Sequence, residues 1–137
     1  MKDNTEHDAG FTLIELLVVL LICGILAGVA IPALLSQKRK SFETTAKSDL
    51  RTIAFEVASY YQEESGALVL AAGAAPRTWE LTSGVEVVAK GPLSEGNAVS
   101  TAGSISSAES YCVALIPSYE GTRPWRATQD GFAPGDC

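Results

Sequence analysis

A single carboxylate, Glu15, stands inside an otherwise apolar run, and an ionisable group in that setting needs a partner. Residues 11–35 read FTLIELLVVLLICGILAGVAIPALL, and Glu15 is their one charge. A carboxylate at the centre of a membrane helix costs about 2.5–3.5 kcal/mol on insertion scales, and less near a helix end. Pairing it with a cation removes much of that cost. A cut between Gly10 and Phe11 would create such a cation, the α-amino group of Phe11, four residues before Glu15 and within helical reach of it. The same amine on a neighbouring copy would serve as well. A buried carboxylate that needs an amine therefore favours association in one register.

The element that must carry Glu15 is a helix. About 20 apolar residues suffice to cross a bilayer, and residues 11–35 would extend roughly 37 Å as a helix. The periodicity continues beyond them. Phe42, Ala46, Leu50, Ile53, Val57 and Tyr60 follow one another in steps of three and four, one stripe of an amphipathic helix. Glu43 and Lys47 are spaced for a pair on one face of that helix. Gly66 is the expected stop. Gly24, Gly28 and Pro32 are the only helix breakers between residues 11 and 65. Gly24 and Gly28 form a G-x-x-x-G pair that would let helices approach closely, or are ordinary small residues of a membrane helix. Pro32 removes one backbone hydrogen bond and loosens the rod.

The apolar stripe over 36–65 needs a cover, and residues 66–137 must provide it. Residues 66–77 are Gly- and Ala-rich and read as a connecting loop. Thr78–Leu81 and Val85–Ala89 read as short strands around Thr82-Ser83-Gly84, and Lys90-Gly91-Pro92 and Glu95-Gly96-Asn97 read as turns. Residues 98–108 read as a surface loop. Tyr111–Ile116 is the best strand, and Arg123–Thr128 is its expected partner. Short strands with tight turns favour an antiparallel sheet, one face of which lies on the helix. The expected fold is α+β: a leader over 1–10, a membrane-spanning helix over 11–35, its amphipathic continuation over 36–65, and a small antiparallel β-sheet head over 66–137.

Composition limits the chemistry. The net charge is −6, and residues 66–137 hold four basic side chains against seven acidic ones, which speaks against phosphate-driven binding of nucleic acid. The one basic cluster, Lys38-Arg39-Lys40, sits beside the apolar run and reads as an interfacial anchor. The single histidine, His7, lies before the expected cut, so a Ser-His-Asp or Cys-His arrangement is not expected in the remainder. No catalytic residue, metal or cofactor is expected. Trp79, Tyr119 and Trp125 are read as packing residues of the sheet, with a ligand-binding surface as the alternative.

The run Gly10-Phe11-Thr12-Leu13-Ile14-Glu15, opening a long apolar segment, resembles the class III signal region of type IV pilins and pseudopilins. The resemblance covers residues 10–36 closely. It implies that a prepilin peptidase cuts after Gly10 and methylates Phe11. It also implies that Glu15 pairs with a neighbour's terminal amine during assembly, and that Gly24 and Pro32 soften the helix. It further implies a homo-oligomeric filament built through the N-terminal helices, a separate assembly ATPase and a platform protein. The subunit would sit in the cytoplasmic membrane first and in a surface filament afterwards. The leader departs from the family's pattern: Asp8 and Ala9 precede Gly10 where a basic residue is usual. The positive-inside rule would also set Lys38-Arg39-Lys40 on the side the family assigns to the leader.

Cys23 lies in the apolar run as a small filler. Cys112 and Cys137 are then left as a pair, bridged as in many pilins, or as two free thiols. A pseudopilin of a secretion or DNA-uptake system is the alternative to a pilus subunit. A monomeric single-pass protein displaying a small binding domain is the alternative of a different class.

Overall fold

The computed structural model describes residues 10–100 and 104–137. The charged residues of the expected leader, Lys2, Asp3, Glu6, His7 and Asp8, lie outside the described residues. A 51-residue helix, α1 (Leu13–Glu63), is followed by eight strands: β1 (Leu68–Ala72), β2 (Thr78–Ser83), β3 (Glu86–Pro92), β4 (Asn97–Val99), β5 (Ser104–Ser107), β6 (Ser110–Pro117), β7 (Trp125–Thr128) and β8 (Gly131–Pro134). The chain is α+β, a long helix packed on an antiparallel sheet, and divides into compact units of residues 1–36 and 37–137.

Within the first unit, α1 is unbroken through Gly24 and Pro32. Every large apolar side chain from Phe11 to Leu35 is exposed. The helix is long and apolar enough to cross a membrane.

Within the second unit, the stripe predicted on α1 is the face that meets the sheet. Ala46, Leu50, Ile53 and Val57 are fully buried, and Phe42 and Tyr60 flank them half-buried. Leu50, Ile53 and Val57, with Tyr60 against them, pack with Leu68, Leu70, Trp79, Leu81, Ile105, Val113 and Leu115 in one core. The sheet order is β3-β2-β1-β5-β6-β7-β8, with β4 also paired to β6. Every pairing is antiparallel. Beyond the helix stripe, burial of alternate strand residues such as Leu68 and Leu70 follows the two-residue period of a half-buried sheet. Each large apolar side chain removed from water contributes about 1.5–3 kcal/mol before entropy is set against it.

Several loop and turn expectations give way to strands. Residues 66–77 contain β1, which lies between β2 and β5, because Leu68 and Leu70 supply an inward face that the Gly/Ala composition masks. Lys90-Gly91-Pro92 is not a turn but the end of β3. Gly91 is paired with Trp79, and a Cβ on it would stand 2.8 Å from the indole. Glycine is there to admit the ring, not to bend the chain. Residues 98–108 hold most of β4 and all of β5, with Ile105 buried in the core; residues 101–103 of that segment lie outside the described residues. Asn97, expected in a turn, opens β4. α1 ends at Glu63, short of the expected stop at Gly66. β8 was not expected; Gly131 and Pro134 at its ends mask it in the sequence.

The helix and sheet are also tied by polar groups. Asp49 on α1 accepts from Ser94 N at 2.8 Å, Ser94 Oγ at 2.8 Å and Asn97 Nδ2 at 2.7 Å. Tyr61 donates to Gly66 O at 2.6 Å, and burial holds its phenol above the ordinary range. A disulfide joins Cys112 in β6 to Cys137, 25 residues on, a closure the chain-entropy model values at roughly 3.5 kcal/mol. Asn97 is buried and depends on Asp49, so Asp49→Ala leaves an amide without its acceptor. The expected loss is about 3 kcal/mol, read by urea unfolding of the detergent-solubilised chain through Trp79 fluorescence; an unchanged midpoint would contradict this role.

Candidate functional site

Among the described residues, Gly10, Phe11 and Thr12 stand before the helix. Gly10 and Phe11 precede α1 and are exposed, Phe11 to 85%. Thr12 is the residue on which the helix starts. Its carbonyl accepts from Leu16 N at 3.3 Å, and its hydroxyl accepts from Glu15 N at 3.3 Å. Glu15 reaches back in return. Its Oε2 accepts from Thr12 N at 2.9 Å and from Thr12 Oγ1 at 2.8 Å.

This reciprocal pattern is a capping box, in which the carboxylate three residues into the helix satisfies an orphan donor at its start. Its position also sets the charge against the positive end of the helix dipole. The sequence signal for it is T-x-x-E ahead of an apolar run, Thr12 to Glu15. Spacing alone does not single out Thr12, and it sets Phe11 on the helix as a four-residue neighbour of Glu15, whereas α1 starts at Leu13. Both bonds that Glu15 accepts fall on Oε2. A shallow groove of about 410 Å³ beside it is lined by Phe11, Ile14, Glu15, Val18 and Val19. The carboxylate thus borders an apolar recess.

The other expected residues are placed as follows. Gly24 is on α1 with open space around its Cα, and Pro32 lies inside the same helix. Cys23 is a free, exposed thiol of the apolar run. Cys112 and Cys137 are far along the chain from this segment and bonded to each other. Trp79 is a core residue. Tyr119 is stacked on Phe42, with ring centroids 5.0 Å apart and planes 10° from parallel. Lys47, expected beside Glu43, has its ammonium 3.7 Å from the centroid of the Trp125 ring.

A family model described as the prokaryotic N-terminal methylation motif matches residues 7–31. Residues 7–31 thus carry that motif, the segment that the sequence resemblance singled out. Type II secretion system core protein G of Pseudomonas aeruginosa is 42% identical over 55 residues, 40% of this chain and 39% of that protein. Type IV major pilin protein PilA of Myxococcus xanthus is 40% identical over 58 residues, 42% of this chain and 26% of that protein. Type II secretion system core protein G of Escherichia coli is 41% identical over 46 residues, 34% of this chain and 32% of that protein. The likeness thus spans less than half the length of these relatives. No solved structure matches the chain.

Thr12 is the new element of the pilin-like segment. Thr12→Val keeps the shape of the side chain and removes the hydroxyl from the capping box. A lost N-cap costs about 1 kcal/mol, so amide exchange at Glu15 and Leu16 in detergent micelles is expected to rise roughly fivefold. Unchanged exchange would show that the box does not hold the helix start.

Proposed function

We propose that the chain is a structural, non-catalytic subunit of a type IV pilus-like filament, inserted in the membrane as a precursor, cut between Gly10 and Phe11 and assembled through its N-terminal helix. The observation that carries this reading is the unbroken apolar surface of residues 11–35, exposed at every large side chain and bearing one carboxylate at its start. Such a surface needs lipid or other helices around it. Both are available to a subunit that waits in the bilayer and then enters a bundle of copies.

The cut changes the chemistry at Glu15. Before it, the nitrogen of Phe11 is an amide; afterwards it is an ammonium, one residue from the N–H that Glu15 already holds at Thr12. In a bundle, the ammonium of one copy and the carboxylate of the next match in charge, and a copy out of register leaves both unpaired in an apolar interior. Register is thereby selected against the alternatives rather than simply permitted. A prepilin peptidase, a platform protein and a nucleotide-hydrolysing motor are the partners this reading requires. Before assembly the chain sits in the cytoplasmic membrane, and after it on the cell surface.

A pseudopilin of a type II secretion system is the second reading, favoured by the two protein G relatives. It shares the same segment and the same assembly chemistry. Glu15→Ala tests both against a monomeric membrane-anchored protein. The expected outcome is normal membrane insertion with filaments lost from sheared-cell preparations by electron microscopy. Filaments at wild-type abundance would overturn the assembly role of Glu15.

A further inference from the structure

The sheet has two edges, β3 and β8, each unpaired on its outer side among the described residues. The β3 edge carries a strip of exposed apolar side chains. Val85 is fully exposed, and Val87 and Val88 are exposed beside it. Carboxylates rim this strip. A cleft of about 540 Å³ between the end of α1 and β3 is lined by Glu56, Glu63, Glu64 and Glu86, with no basic side chain in its lining. The last turn of α1 has no basic residue either, although the carbonyl end of a helix favours cations. Exposed apolar side chains rimmed by charge mark a contact surface.

The β8 edge has the opposite sign. Arg39, Lys47 and Arg51 are spaced by multiples of four on α1 and so lie in one row. That row runs past β7 and β8. A Cβ on Gly121 would stand 2.7 Å from Nη2 of Arg39. The Lys47 ammonium is 3.7 Å from the centroid of Trp125 in β7, and the Arg51 guanidinium is 5.8 Å from that of Phe132 in β8. Phe132 is itself exposed. Residues 38–51 and 119–137 hold seven Lys or Arg against five Asp or Glu, a net of +2. Two of those acids, Asp49 and Asp136, are already hydrogen-bonded within the chain. Residues 52–66 and 83–90, which make the other edge, hold one basic side chain against four acids, a net of −3.

We propose that the β3 edge of one copy docks on the β8 edge of a second copy, with Glu63, Glu64 and Glu86 set against Arg51 and Arg123 and the valines against Phe132. Opposite charge selects the partner edge, since like edges repel. Each copy presents one edge of each sign, so the contact is heterologous and passes from copy to copy. Pro92 ends β3 and Pro134 ends β8. A proline cannot donate to a ladder, so the edges meet through side chains and not by adding strand to strand. The inference rests on the filament reading above and names the surfaces by which the sheet domains would touch.

The test is thiol crosslinking of the full chain, reconstituted at high density in phosphatidylcholine liposomes, with a short bis-maleimide. Both partners carry Cys23→Ala; one adds Val85→Cys and the other Phe132→Cys. Mixed, they are expected to give linked pairs of unlike copies, and each alone should give few. Glu63→Lys with Glu86→Lys in the Val85→Cys copy should lower the yield about tenfold. Adding Arg51→Glu with Arg123→Glu to the Phe132→Cys copy should restore it, because the two edges are then opposite in charge again. All four reversed side chains are exposed; should a reversed chain still fail to fold, loss of linkage between the unreversed partners at molar salt decides the matter. No linkage in the unreversed mixture, equal linkage of Val85→Cys copies to one another, or a yield indifferent to both reversal and salt would each overturn the contact. Linked pairs from a chain that gives no filaments in sheared-cell preparations would leave the contact standing and overturn the filament reading.

Discussion

An ionised carboxylate in an apolar helix has to be met by donors at every stage of the protein's life, and Glu15 imposes that constraint on the rest of the chain. In the single chain the donors are the amide and hydroxyl of Thr12. They suffice at a helix end that water or headgroups still reach. Among packed helices the same carboxylate needs a full counter-charge, since the low-dielectric interior raises the cost of an unpaired ion. The ammonium proposed to appear at Phe11 is close in sequence, unique to each copy and generated by the cut itself. Cleavage, charge pairing and assembly register thus become one physical requirement.

The second half of α1 meets a different solvent by the same means of one-sidedness. Its stripe of Leu50, Ile53 and Val57 is covered by the inner face of the sheet. Polar ties from Asp49, Tyr60 and Tyr61 hold the edges of that contact. Trp79 fits under Gly91 because a glycine stands opposite it. The Cys112–Cys137 bridge ties the end of the described chain to the central strand β6. The two halves of one helix therefore differ in what completes them. The sheet finishes the second, and the proposed bundle or the lipid finishes the first.

The helix was legible because period and length speak loudly in it: residues 42–60 mark one face without ambiguity, and nothing but Pro32 and two glycines interrupts 11–65. The best strand, YCVALI, was equally plain. What hid was structure built from small residues. β1 ends in two Ala and lies in a Gly/Ala-rich stretch, and β5 carries three Ser and only one large side chain, so their pairing is fixed by neighbouring strands more than by their own composition. Gly91 read as a turn because a glycine's role in admitting an indole has no local signature. At the N-terminus the charge of Glu15 points toward a cation at Phe11 more loudly than toward Thr12, although T-x-x-E is a helix-start pattern in its own right. Lys47 shows the same limit from the other side: its four-residue spacing from Glu43 is visible in sequence, whereas its contact with Trp125 depends on the sheet.

The central claim is that Glu15 is matched to an ammonium that exists only after a cut. Intact-mass and N-terminal peptide mass spectrometry of the protein recovered from membranes tests it most directly. A mature chain beginning at Phe11 and carrying an N-methyl group is the predicted result. A chain that retains residues 1–10, or begins elsewhere than Phe11, would contradict the account.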